Sequence, residues 1–334
     1  ASISGADVTT DVKVAAEADM KLAATYTDWK DAHGNAIVAT AGGVGTPWRI
    51  YEGHTMPLLT ALMKGTKRLE KVYDGNVFTT TDPHITLVHT GKDVGTYDAY
   101  SDQLGYDLIG GATITQRVLT MSGVAAQSKT YDGTTAADAS KFRAALNNAV
   151  AGDNVTAAAA TATYNDKNVA AANRIDYTGV ALAGANAGNY SLAATTAQSA
   201  GTITQRALTV DTVAAQSKTY DGTTSADTSK FQATLGNFVA GEEGSVAATA
   251  VGATYNDKNV AGANAVGYTG VALTGTGAGN YTVADTAEGA GTIAQRTLTL
   301  GTVAAQSKTY DGTTAADASQ FHATLNNVVA GEEN

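Results

Sequence analysis

VAAQSKTYDGTT occupies residues 124–135, returns letter for letter at 213–224 and again at 303–314. The offsets are 89 and 90 residues, the size of a whole small domain, so the chain reads as a tandem array of modules. Within the stretch, a short alternating run enters and an Asp-Gly pair turns it, because the second position of such a turn favours a positive φ.

Working outward, other anchors keep the same period. ITQR at 114–117 recurs at 203–206 and as IAQR at 293–296. TYNDKNVA at 163–170 recurs at 254–261, and AGNY at 187–190 recurs at 278–281. The repeats therefore run over 118–206 and 207–296, with a truncated copy at 297–334 and a degenerate short one at 70–117. The degenerate copy keeps VYDGN (72–76), VGTYDAY (94–100) and ATITQR (112–117).

In the second repeat the pattern predicts strands near 207–210, 216–220, 231–239, 246–255, 259–273, 280–284 and 291–295. Turns are predicted at Asp221-Gly222, Asn256-Asp257 and Gly279-Asn280. About seven short strands in one repeat point to an all-β fold of tandem antiparallel, immunoglobulin-like β-sandwich modules. The inside–outside phase slips between Ile203 and Leu208, which a strand buried on one face does not tolerate, so Gln205-Arg206 reads as a connector. Residues 229–239 admit two readings. Phe231, Leu235, Phe238 and Val239 fit a helix face that Ser229 would cap, and the same stretch also fits strand alternation. Strand is the preferred reading, with a β-grasp-like module carrying one short helix as the alternative.

The first 70 residues differ. Residues 8–24 and 35–40 alternate like strands, and 46–65 hold the densest apolar groups, as in the closing turn or lid of a preceding domain. The chain begins at Ala1 and stops in mid-repeat, which reads as a piece of something longer.

Bulk composition narrows the function. A net charge of −10 with 16% charged residues offers no basic surface for nucleic acid or an anionic membrane. With no cysteine, neither disulfides nor thiolate metal sites arise. No run approaches the ~18–20 apolar residues of a membrane span. His33, His54, His84, His89 and His322 form no zinc pattern, and read as exposed loop or strand residues. Asp132, Asp221 and Asp311 read as turn formers rather than calcium ligands, although Glu242-Glu243 recurs as Glu332-Glu333 near the connectors. Tyr131, Tyr220 and Tyr310 read as half-buried strand residues with hydroxyls bonded to backbone, the alternative being an exposed glycan-stacking row. AGGVGTP (41–47) is not a phosphate loop, because no Lys-Ser/Thr follows. No catalytic residue, cofactor or metal is expected. Asn154, Asn189 and Asn280 open Asn-x-Ser/Thr sequons and are candidate glycosylation sites.

Taken together, TYDGTT (130–135), VAGD (150–153), DKNVA (166–170), AGNYSL (187–192) and ITQR (114–117) resemble the YDG-type repeats of large secreted bacterial adhesins. The likeness covers 118–334 closely and 70–117 loosely, departing by ITQR for ITPK and by Ala170 after DKNV. PWRIYEGHTMPLL (47–59) is similar to the segment that ends the β-helix of filamentous-haemagglutinin-like exoproteins of two-partner secretion, which implies that 1–66 are the C-terminal rungs and cap of a right-handed β-helix.

The resemblance implies a secreted cell-surface adhesin used in attachment or biofilm formation. It also implies export through an outer-membrane β-barrel transporter and a host or neighbouring-cell receptor or glycan as partner, and it makes the sequons candidates for glucosylation before export. The repeats themselves are expected to be non-enzymatic spacers. Weak multivalent carbohydrate-binding modules, or accessory repeats of an extracellular polysaccharide-acting enzyme, are the alternatives.

Overall fold

The computed structural model describes residues 15–333. The protein is all-β: every helical segment among the described residues is a single 3₁₀ turn. It packs as two compact units. One comprises the chain up to Ala125 with Asp138–Ala162 and Asp176–Ser199. The other comprises Ala126–Ala137, Thr163–Ile175 and everything from Ala200 onward. The dividing line runs through the 118–206 repeat, not between repeats.

The 207–296 repeat lies wholly in the second unit and carries the topology most clearly. Its main sheet has four strands in the order Gln216–Thr219, Thr286–Ala294, Ala265–Thr269 and Gly252–Tyr255. The first pair is parallel and the other two pairs are antiparallel. Smaller pairs join Thr209–Val213 to Ala233–Gly236 and Ala247–Thr249 to Ala272–Thr274, both antiparallel, and Arg206–Ala207 to Tyr281–Thr282 in parallel. The wholly antiparallel arrangement expected from the turns therefore does not hold. A parallel pair needs a long crossover, and the Asp221-Gly222 turn supplies only its first bend, leading to a single bridge between Ser225 and Thr254.

Alternation fixes what is buried. On Ala265–Thr269, Val266 and Tyr268 point into the core with Tyr255, Val271, Ile293 and Phe231. Phe231 is 7% exposed and its ring lies 4.7 Å from that of Tyr268.

Several sequence-based expectations are corrected here. The 229–239 segment contains no α-helix. Asp227, not Ser229, caps a 3₁₀ turn at Thr228–Lys230, and the strand that follows is only Ala233–Gly236. It stops because Asn237 adopts φ 67°, a left-handed conformation that Asn tolerates and a strand cannot continue through. The expected strands 246–255 and 259–273 each break in two, at Ala250-Val251 and at Gly270, whose φ is 61°.

In the first unit, Arg117–Ser122 pairs antiparallel with Ala145–Asn147 and parallel with Tyr190–Leu192. Thr66–Val72 lies parallel to Asp107–Thr115, which in turn pairs antiparallel with Gly95–Tyr97. One continuous core holds Tyr73, Phe78 and Ile114 of the degenerate repeat together with Leu119 and Tyr190 of the following one. The expected strand at 8–24 lies partly outside the described residues. Its remainder forms turns, with 3₁₀ segments at Asp19–Lys21 and Ala23–Tyr26. Val38–Ala39 pairs in parallel with Trp48–Arg49, which pairs antiparallel with Leu58–Leu59.

Candidate functional site

The YDG turn is built the same way in every copy. Lys218 Nζ reaches Asp221 at 2.7 Å and the Thr223 and Ser225 carbonyls, while the Asp221 carboxylate accepts the Thr223 backbone N–H at 3.0 Å. Lys129 with Asp132 repeats this set, and Lys308 with Asp311 repeats it with the Thr313 carbonyl. The Lys218 hydrogen bond, aided by the Thr223 donors, holds the Asp221 carboxyl down at about 2. The aspartates thus act as turn formers, as read from the sequence.

What the turn presents is the tyrosine beside it, and the hydroxyl does not bond to backbone as expected. Tyr131 is 1% exposed and donates to the Glu242 carboxylate at 2.8 Å, a residue 111 positions away in the next repeat. Glu242 also accepts from the hydroxyl of Tyr281, at 2.7 Å. That hydroxyl in turn accepts the Val239 backbone N–H at 3.1 Å. The two tyrosine rings meet edge to face at 5.4 Å. In the first unit Tyr73, Asp153 and Tyr190 form the same triad, with rings 5.3 Å apart and the Val150 N–H on Tyr190. The carboxylate always stands three residues after the Val of Val-Ala-Gly, as Asp in one copy and Glu in the others.

Burial raises the phenols, and the adjoining carboxylate raises them further, Tyr73 to about 12. Burial also pushes the Glu242 carboxyl upward. The hydroxyls of Tyr281 and Tyr131, with Lys167 at 3.7 Å, outweigh it and keep this group below the usual glutamate value.

Four further contacts complete these two joints. Asn280 of AGNY accepts the Val169 N–H at 2.9 Å and donates to Asn168, so it seats on the DKNV turn of the preceding repeat. Asn189 does the same with Val94 and Asp93. The connector arginine grips the left-handed asparagine. Arg206 donates to the Asn237 carbonyl at 2.6 Å and to its side-chain oxygen at 2.7 Å; Arg117 grips Asn148, and Arg296 grips Asn327. The connector glutamine reaches across as well, Gln205 to Gly279 and Gln116 to Gly188. Finally, the YDG glycine does more than turn. A Cβ on Gly133, already at φ 77°, would stand 2.8 Å from Val239, so the next repeat closes onto the bare backbone.

The other sequence candidates scatter. Asn189 and Asn280 are buried in these joints with their amide nitrogens in use, whereas Asn154 is exposed. Tyr310 is 94% exposed, Tyr220 half-buried, and Tyr131 enclosed, so the three form no uniform row. His84 pairs with Asp102 at 2.9 Å and His54 stacks on Tyr100, neither of them in a cluster. Among the described residues, no group of three or more His, Asp or Glu stands close enough to hold a metal. The sequence reading missed the Arg–Asn grip and the Tyr–carboxylate contact. The clue was the Arg and the Asn recurring 31 residues apart in three copies.

Comparison with known proteins agrees with this repeat unit. The YDG domain family matches residues 115–197 and 204–288, which together make up half of the chain, and the chain belongs to that family. No curated protein matches. Among solved structures, the I9-I11 tandem from titin aligns over 70% of this chain and 97% of that one, at 10% identity and a TM-score of 0.19, too low to carry an argument.

Proposed function

We propose that these residues are structural spacer repeats of a secreted bacterial cell-surface adhesin, exported through an outer-membrane β-barrel transporter. In this reading 118–206 and 207–296 are immunoglobulin-like β-sandwich modules, 70–117 is a degenerate short module and 297–334 a truncated one. Residues 1–66 are the closing rungs and cap of a right-handed β-helix, a reading supported by the likeness at 47–59. The receptor or glycan is engaged elsewhere in the parent protein, and the repeats carry out no reaction.

The observation that carries the proposal is the recurring joint. A tyrosine of one repeat is buried against a carboxylate of the next, and in the first unit the hydrophobic core runs on through that joint. Such coupling suits a stalk, in which each module is held by its neighbours. The test is a glycan array probed with this chain and with a single repeat. The spacer reading expects no binding in either format; saturable binding that grows with repeat number would replace it with multivalent recognition.

A further inference from the structure

The parallel pair in each main sheet joins the strand before the YDG turn to the strand that closes the repeat. Gln216–Thr219 lies beside Thr286–Ala294, with Gln216 opposite Gly291 and Thr219 opposite Ala294. Gln127–Thr130 lies beside Ala197–Thr204 in the same way, Gln127 opposite Gly201 and Thr130 opposite Thr204. Thr66–Val72, which leads into the degenerate repeat, is likewise parallel to Asp107–Thr115, which closes it. The YDG tyrosine adds one more bond to each ladder. The N–H groups of Tyr220, Tyr131 and Tyr73 donate to the carbonyls of Ala294, Thr204 and Thr115, each at 2.9 Å. Nearer the connector a shorter parallel pair repeats the pattern, Arg206–Ala207 with Tyr281–Thr282 and Arg117–Ser122 with Tyr190–Leu192.

This strand order fixes how a repeat meets tension. The chain comes in at the start of one strand of the ladder and goes out at the end of the other. Because the two strands run the same way, pulling on the chain slides them along each other. The bonds of the ladder are then loaded together, and none gives way before the rest. In a hairpin the two ends lie side by side, and pulling opens the bonds one after another. The inner face of the ladder is also shielded from water. Gln216 and Ile293 are buried. A Cβ on Gly291 would stand 2.6 Å from Val266, and one on Gly201 2.6 Å from Ile175, so the closing strand lies directly on the core. In such surroundings a hydrogen bond is stronger than it is in water.

We propose that each repeat is a shear clamp that carries tension along the chain, with the parallel ladder as the element that resists. The joint holds the end of the ladder at which the chain leaves. Tyr131 belongs to the ladder by its N–H and to the joint by its ring and hydroxyl, which meet Tyr281 and Glu242. The inference rests on the strand order of the repeats and not on the adhesin reading.

The experiment pulls single molecules in two directions and compares the forces at which they give way. The chain has no cysteine, so Ser217→Cys and Thr292→Cys, exposed positions opposite each other in the ladder, supply handles that load it crosswise. Ser128→Cys and Thr202→Cys do the same for the preceding repeat. Each double variant is also held by its two ends, which loads the ladders lengthwise; force peaks matching those of the unsubstituted chain show that its repeats fold. Lengthwise pulling should give one peak for each complete repeat, at least about twofold higher in force than the crosswise peak of the same repeat. Equal forces in the two directions would overturn the proposal. Lengthwise extension of the unsubstituted chain without discrete peaks would overturn it as well.

Discussion

The joint around Tyr131 and the joint around Tyr220 are written in nearly the same letters, yet one tyrosine is enclosed and the other half-buried. Both follow a Lys-Thr, both turn on Asp-Gly, and both donate to a glutamate about 110 residues on. The difference is Tyr281, which brings a second hydroxyl to Glu242, an aromatic edge at 5.4 Å and the Asn280 seat on the preceding turn. Enclosure of the YDG tyrosine is thus a property of two repeats acting together and not of the twelve-residue motif. The joint around Tyr73 makes the same point with different letters: Asp153 replaces the glutamate, VYDGN replaces TYDGTT, and the triad persists because Tyr190 is there.

The largest expected effect follows from that contrast. Tyr131→Ala removes a fully enclosed ring and should cost about 3–5 kcal/mol, seen as lost hydrogen-exchange protection around Val239 and Tyr281. Tyr220→Ala should cost no more than about 1 kcal/mol, because its ring is only half enclosed. Equal losses at both sites would break the comparison.

A smaller effect is expected at the left-handed asparagine. Asn237→Ala forces a side chain into φ 67° and removes the bonds to Arg206 and to the Ala207 carbonyl. The expected cost is roughly 1–3 kcal/mol in urea unfolding. Asn237→Gly restores the backbone and should recover only the strain part, which separates conformation from the arginine grip.

How much of this was legible beforehand follows the range of the interactions. The YDG turn, the Asn256-Asp257 turn and the break at Gln205 are local, set by residues a few positions apart, and the sequence pattern named them. Ile203 and Leu208 are buried on opposite sides of that break, as the phase slip required. The joint depends on pairs 31, 39 and 111 residues apart, whose partners alternation cannot nominate. The strand at 231–239 was overextended because hydrophobicity continues through Phe238 and Val239. Those two residues serve the joint, Phe238 packing against Tyr281 at 5.5 Å and Val239 closing on Gly133.

The pH response sharpens the comparison further. The folded state lowers the Glu242 carboxyl, so its contribution is present above the unfolded value and is lost as pH falls through the folded one, below the usual glutamate range. The tyrosines work in the opposite direction. Their folded values are raised, so their contribution is full below about 10 and is lost as pH climbs, for Tyr73 through about 12. Thermal melts across pH should therefore fall at both ends, and Glu242→Gln should flatten the acid limb. An unchanged acid limb in that variant would assign the acid sensitivity to other carboxylates. The smallest effect is expected at Lys218→Ala, which removes a local turn contact to a carboxylate that is 45% exposed and should cost about 1 kcal/mol. A larger loss would mean that the turn, and not the tyrosine, sets the joint.

The most direct test of the joint itself is a double-mutant cycle between Tyr131→Phe and Glu242→Ala, read as unfolding free energies of the whole chain. If the buried hydroxyl and the carboxylate couple neighbouring repeats, the two changes should be non-additive by about 1–3 kcal/mol. Additivity within about 0.5 kcal/mol would contradict the account, leaving Tyr131 and Glu242 as neighbours that do not hold each other in place.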